Sequence, residues 1–221
     1  MNTIFIDLEF CRIDRKYKEE LKVCKTEIIQ IGAVKLNEKY EITERFDMLV
    51  KPDYSTINKR VSELTHITEN DVAGADHFTQ AMNKFLDWVG YEQVEIYSWS
   101  LEDKHQFVHE SKLKQYSDER LDMLFENWID FQLLFGKILE VSQQVSLSNA
   151  LNGVGITFVG QEHSAVDDAE NTARLFILTR DEENFKKQAQ ALLDLMIPTP
   201  DVTTQIGSLF TPEMLKKLSL E

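Results

Sequence analysis

Asp7 and Glu9 stand two residues apart at the end of the apolar run Ile4-Phe5-Ile6. Such a run of β-branched and aromatic residues predicts a short buried strand. Side chains alternate along a strand, so residues 7 and 9 share one face and Leu8 takes the other. Two neighbouring carboxylates repel and raise each other's pKa unless a cation sits between them. Hard, oxygen-seeking ions such as Mg²⁺ or Mn²⁺ are the usual cation. A solvated strand end is the plainer reading of the same pair. Asp103, with Glu102 beside it, falls near the start of a helix, where the dipole alone favours an acid. His163 precedes a further helix whose first turns carry Asp167 and Asp168, so an imidazole and a carboxylate can face one site. A polar loop histidine and two helix-start acids are again the plainer reading.

The elements that would position these groups follow from pattern. Residues Glu27–Leu36 and Glu44–Val50 read as strands joined by a turn at Asn37-Glu38-Lys39, the second ending at Lys51-Pro52. Ile57–Thr65 reads as a short helix, and Thr68 as the cap of the next. Phe78, Met82, Phe85, Leu86 and Val89 recur at helical spacing and predict an amphipathic helix over 77–90. Val94–Trp99 reads as a fourth strand, Leu101–Leu113 and Leu121–Glu126 as helices, and Trp128–Phe131 as a short fifth strand leading into a helix Gln132–Val141. Ser146–Leu151 reads as a helix stopped by a left-handed Asn152-Gly153. Helices over Ser164–Arg180 and 183–197 follow, then an irregular tail from Pro198 with a last short helix at Pro212–Leu218. An antiparallel meander followed by strand–helix alternation predicts an α/β fold with a mixed sheet flanked by helices.

With 221 residues, 43% hydrophobic, the chain suits one sizeable core. Cys11 and Cys24, without an apolar N-terminal segment, read as reduced thiols of a cytoplasmic protein. No apolar run reaches membrane-spanning length. The net charge of −14 argues against a generic nucleic-acid coat. Residues 11–25 run against that balance, with six basic side chains to three acidic ones. They read as a basic loop after the Asp7/Glu9 strand, either a phosphate contact or a solvated insertion.

Taken together, these segments resemble the DEDDh 3′–5′ exonucleases, the proofreading-exonuclease-like branch of the ribonuclease H-like fold, over roughly residues 1–180. Asp7-Leu8-Glu9 matches the Asp-x-Glu motif. His163 with Asp168 matches the third motif, together with Ala165, Asp167 and Ala169. Ser98-Trp99-Ser100-Leu101-Glu102-Asp103 matches the middle motif more loosely, and its Trp99 leans toward the histone-mRNA-exonuclease-like and sporulation-inhibitor-like subgroup, which acts mainly on RNA. Glu27–Val34 is similar to the family's second strand, and Leu64-Thr65-His66-Ile67 to its Leu-Thr-Gly-Ile segment, with His66 where glycine is usual. The segment 11–25 is longer than a minimal member needs.

The resemblance implies a five-stranded mixed sheet, with 181–221 as a helical extension and tail packing on the domain. It implies two Mg²⁺ or Mn²⁺ ions about 4 Å apart. Asp7 bridges them, Glu9 and Asp168 complete the first site, and Asp103 holds the second ion. His163 takes the proton from the attacking water. Phe10, Leu64, Thr65 and Ile67 line the terminal nucleotide, and single-stranded RNA is favoured over DNA. Two rivals stand beside this reading: a non-catalytic interaction module with a protein or RNA partner, and a DNA-directed proofreading or repair exonuclease.

Overall fold

The computed structural model describes residues 2–141 and 144–196, so the expected tail helix at 212–218 lies outside the described residues. Strands β1 (Asn2–Arg12), β2 (Thr26–Leu36) and β3 (Ile42–Lys51) form the meander. Helices α1 (Lys59–Thr65) and α2 (Glu69–Val72) follow, then β4 (Asp76–His77) and α3 (Phe78–Val89). Next come β5 (Val94–Ser98), α4 (Glu102–Lys114), α5 (Glu119–Glu126), β6 (Trp128–Asp130) and α6 (Phe131–Ile138). Helices α7 (Leu147–Gly153), α8 (Ala165–Thr179) and α9 (Glu182–Met196) complete the described chain.

The mixed sheet has six strands, in the order β4-β3-β2-β1-β5-β6, where the sequence predicts five. The added strand is β4, two residues long and paired in parallel with Val50 and Lys51, too short to show any alternation. β1 pairs antiparallel with β2 and parallel with β5, which makes it central. The sheet is covered on both faces, and β2 accordingly buries nearly every residue, including the polar Glu27, Gln30 and Lys35. One face packs α3, α4 and α5 around Phe85, Phe107 and Leu86. The other packs α6 to α9 around Phe5, Phe131 and Phe176, and α9 adds Phe185 and Ala189 there.

Several local expectations are corrected. Residues 11–25 are not one loop. β1 runs on to Arg12, Ile13 bridges Ser55, and a single 3-10 turn spans Glu20–Lys22. Cys11, Ile13 and Cys24 are buried, which pins the segment at both ends. Both cysteines are free thiols. Asn152-Gly153 does not stop its helix, which runs through Gly153. The left-handed residue is Gly155 at φ 71°, where Ile156 N–H bonds Leu151 O and Gly155 N–H bonds Asn152 O, a Schellman ending. Phe131 belongs to α6, because the Asp130 carboxylate caps that helix through Leu133 N–H at 2.7 Å. Among the described residues no helix is long and apolar enough to cross a membrane.

Candidate active site

Asp7 and Glu9 share the face of β1 that the alternation predicts, and the neighbouring strands decide what else reaches them. Pairing of β1 with β5 ends at Phe5–Tyr97, which leaves the Leu8 N–H without a strand partner. Asp103 takes it, at 3.1 Å, from the first turn of α4. The carboxylate is thus tied to the backbone between Asp7 and Glu9 and also sits at a helix N-terminus, which favours its charge. The structure selects Asp103, which is buried, over the exposed Glu102.

On the other side of β1, Gly32 of β2 lies opposite Asp7. A Cβ on Gly32 would meet the backbone N of Val166 at 2.0 Å and the carbonyl carbon of Ala165 at 2.1 Å. The first turn of α8 therefore lies directly on the sheet, and only glycine permits the approach. Gln30 reinforces the contact: its side-chain oxygen accepts the Ala165 N–H at 3.1 Å, and its amide nitrogen donates to Asp47 at 2.7 Å. This seating brings Asp168 close to Glu9.

The loop before α8 is fixed at several points. Asn171 bonds both polar backbone groups of Val159, and the Asp167 carboxylate accepts the Gln161 N–H at 3.0 Å. Asp168 accepts the backbone N–H of His163 at 2.9 Å. His163 itself sits at φ 64°, a left-handed conformation uncommon outside glycine, with its ring exposed. Ligand atoms of Glu9, His163 and Asp168 lie within 4.8 Å of one another.

The four acids lie near enough to act on one another's ionisation. Burial raises Asp7 well above the ordinary carboxyl range, and the charges of Asp103, Asp168 and Glu9 add to it. Burial pushes Glu9 up to about 8, aided by Asp168 and Asp103. Asp103 and Asp168 are each raised to about 7, again mainly by burial. No lysine or arginine ion-pairs with any of the four among the described residues. Converging carboxylates without a counter-ion, plus one imidazole, form a donor set suited to hard divalent cations.

The four residues expected around the substrate separate. Phe10 and Leu64 are 37% and 49% exposed. Thr65 and Ile67 are only 4% and 6% exposed and face inward. Ile67 packs with Cys11, Ile29, Ile57 and Val72, and Thr65 accepts the Ile67 N–H. His66 adopts φ 61°, the left-handed ending of α1 for which glycine is the common choice. Sequence reasoning left Gly32, Gln30 and Asn171 without a role. A glycine inside an otherwise apolar strand is the one available signal for a close backbone approach.

The six-stranded sheet with its flanking helices is a ribonuclease H-like nuclease fold. The nuclease domain of 3′hExo, a DEDDh family member solved bound to rAMP, superposes with a TM-score of 0.70 at 24% identity, over 81% of this chain and 92% of that one. A family model for the RNase T group, described as exonuclease, matches residues 4–176, and the chain belongs to that exonuclease family. It is 28% identical to human 3′-5′ exoribonuclease 1 over 158 residues, 68% of this chain. The match spans only about 45% of that relative's length. It is 31% identical to the DNA polymerase III subunit epsilon of Aquifex aeolicus over 184 residues, 83% of this chain and 82% of the relative.

Proposed function

We propose that the protein is a metal-dependent 3′–5′ exonuclease that hydrolyses single-stranded nucleic acid, RNA in preference to DNA. The observation that carries this reading is the meeting of Asp7, Glu9, Asp103 and Asp168, from three separate elements, beside the exposed His163. Two Mg²⁺ or Mn²⁺ ions held by the four carboxylates would supply the charge that acidifies water and stabilises a departing 3′ oxygen. Asp7 would contribute to both ions, Glu9 and Asp168 to one, and Asp103, anchored through Leu8 N–H, to the other.

His163 is the proton acceptor. Its backbone is tied to Asp168, so the imidazole stays near the carboxylates while its ring remains open to water. Leu64 offers an exposed apolar face for stacking on the terminal base, which tolerates any base. Thr65 and Ile67 act from beneath, fixing the segment that presents Leu64. The two buried free thiols fit a reducing compartment such as the cytoplasm.

RNA is favoured because the human relative is named an exoribonuclease and because of the Trp99-centred middle motif. The similarity to a DNA polymerase subunit supports DNA as the second reading. Parallel 5′-labelled RNA and DNA oligonucleotides, incubated with Mn²⁺ and with EDTA, test both. The expected result is a ladder of shortened RNA in Mn²⁺, a weaker one from DNA, and none in EDTA. A stronger DNA ladder reverses the preference. Intact RNA and DNA in Mn²⁺ would make the protein a binding module.

A further inference from the structure

The basic stretch of this acidic chain faces a groove that the hydrolytic residues leave unused. Residues 21–26 lie across from α4, whose Glu102, His105, Gln106 and His109 recur at helical spacing, and with Phe10 they enclose about 500 Å³. The inner end adjoins the catalytic cluster, since Phe10 follows Glu9 and Glu102 precedes Asp103. The lining also carries Lys22 and Lys25, both exposed. The walls are tied together: Thr26 Oγ1 bonds Gln106 at 2.6 Å, Gln106 Nε2 bonds Thr26 O at 2.9 Å, and Ile13 N–H bonds Lys25 O at 3.0 Å. The groove is therefore built before any ligand arrives.

Its lining combines rings and cations. Phe10 is 37% exposed, and the His105 and His109 rings lie 6.5 Å apart at 29°. Lys22 pairs with Glu19 at 2.7 Å, but that pair is fully at the surface and easily exchanged for a phosphate. Glu102 is the one acid in the lining, and it sits at the catalytic end. A single strand repeats a flat base and a phosphate, and such a strip of rings and cations matches both.

We infer that this groove holds the nucleotides on the 5′ side of the cleaved bond. Their bases pack on Phe10, His105 and His109, and their phosphates pair with Lys22 and Lys25. This rests on the exonuclease reading for the identity of the strand's 3′ end, but the binding is testable apart from hydrolysis. The probe is a fluorescein-labelled single-stranded octanucleotide, followed by anisotropy in EDTA at several salt concentrations.

The double variant Lys22→Glu/Lys25→Glu should bind at least 10-fold more weakly. The slope of log affinity against log salt should fall by about 1.4, the value for two lost phosphate contacts on a single strand. The same charge change placed elsewhere, Lys84→Glu/Lys137→Glu, should alter affinity less than 2-fold. Phe10→Ala should weaken binding to oligonucleotides of every base composition. Equal losses in the two lysine pairs, or none in the groove pair, would overturn the assignment. Wild-type protein that binds the probe through these residues yet cleaves nothing in Mn²⁺ would sustain the groove and remove the exonuclease reading. Cleavage by the wild type with unchanged binding in the groove variant would do the reverse.

Discussion

At the scale of single residues, the proposed roles divide between four carboxylates that would hold metal and His163, which would take a proton. His163 is exposed, and its only described hydrogen bond is through its backbone. His163→Ala should therefore leave the melting temperature within a degree or two of wild type while lowering kcat by about 10² or more. A variant with near-normal turnover would remove His163 from the reaction. Strand alternation places Asp7 and Glu9 on one face in the sequence, but His163 and Asp168 were singled out by the resemblance to the exonuclease motifs, since spacing alone also fits a loop histidine and helix-start acids. Asp103 was not separable from Glu102 on that basis. The choice depends on an unpaired Leu8 N–H, which exists only because β1 and β5 part company after Phe5.

At the scale of elements, the seating of α8 on β2 is what turns scattered acids into a site. Gly32→Ala would place a methyl 2.0 Å from the Val166 backbone, so α8 must shift. Overpacking of this kind costs about 1–3 kcal/mol. Activity should fall more steeply than the stability loss accounts for, because Asp168 moves with the helix; thermal unfolding and kcat measured on the same preparation check this. The strand β2 was legible from its apolar run, but Gly32's role was not, since the partner helix lies more than a hundred residues away.

A second element-level test concerns α4. Glu110 is 1% exposed, accepts the Ile28 N–H at 2.8 Å and the Gln106 amide at 2.9 Å, and burial pushes it up to about 8. A carboxyl whose pKa is raised on folding holds a proton that the unfolded chain has already released, so stability is lost as pH rises toward 8. Glu110→Gln keeps the acceptor for Ile28 and removes the titration. The variant's melting temperature should fall less between pH 6 and 9 than the wild type's. Parallel curves would refute the assignment.

At the scale of the whole molecule, the same linkage governs the carboxylate cluster, and bound metal would reverse it. Glu9 at about 8, and Asp103 and Asp168 at about 7, are all raised above their unfolded values. In EDTA the cluster's contribution to stability should be greatest in acid and shrink as pH climbs through 7 to 8. Saturating Mn²⁺ binds the ionised form, so the melting temperature should rise with added Mn²⁺, and more at pH 8 than at pH 6. A Mn²⁺ effect that is larger at pH 6 would contradict this. The α/β layering was readable from the order of strands and helices. The sixth strand and the true course of residues 11–25 were not, because two-residue pairing and the burial of Ile13 and Cys24 depend on Val50 and Ser55, which only the folded chain brings near.

The claim beneath all of this is that four carboxylates and an imidazole create one divalent-cation centre. Calorimetric titration of Mn²⁺ into the wild type and Asp7→Asn at pH 7.5, in two buffers of different ionisation enthalpy, measures it directly. The account predicts two ions per chain with net proton release, and severe loss of binding in Asp7→Asn. Absence of binding in the wild type, or equal binding in both proteins, would contradict it.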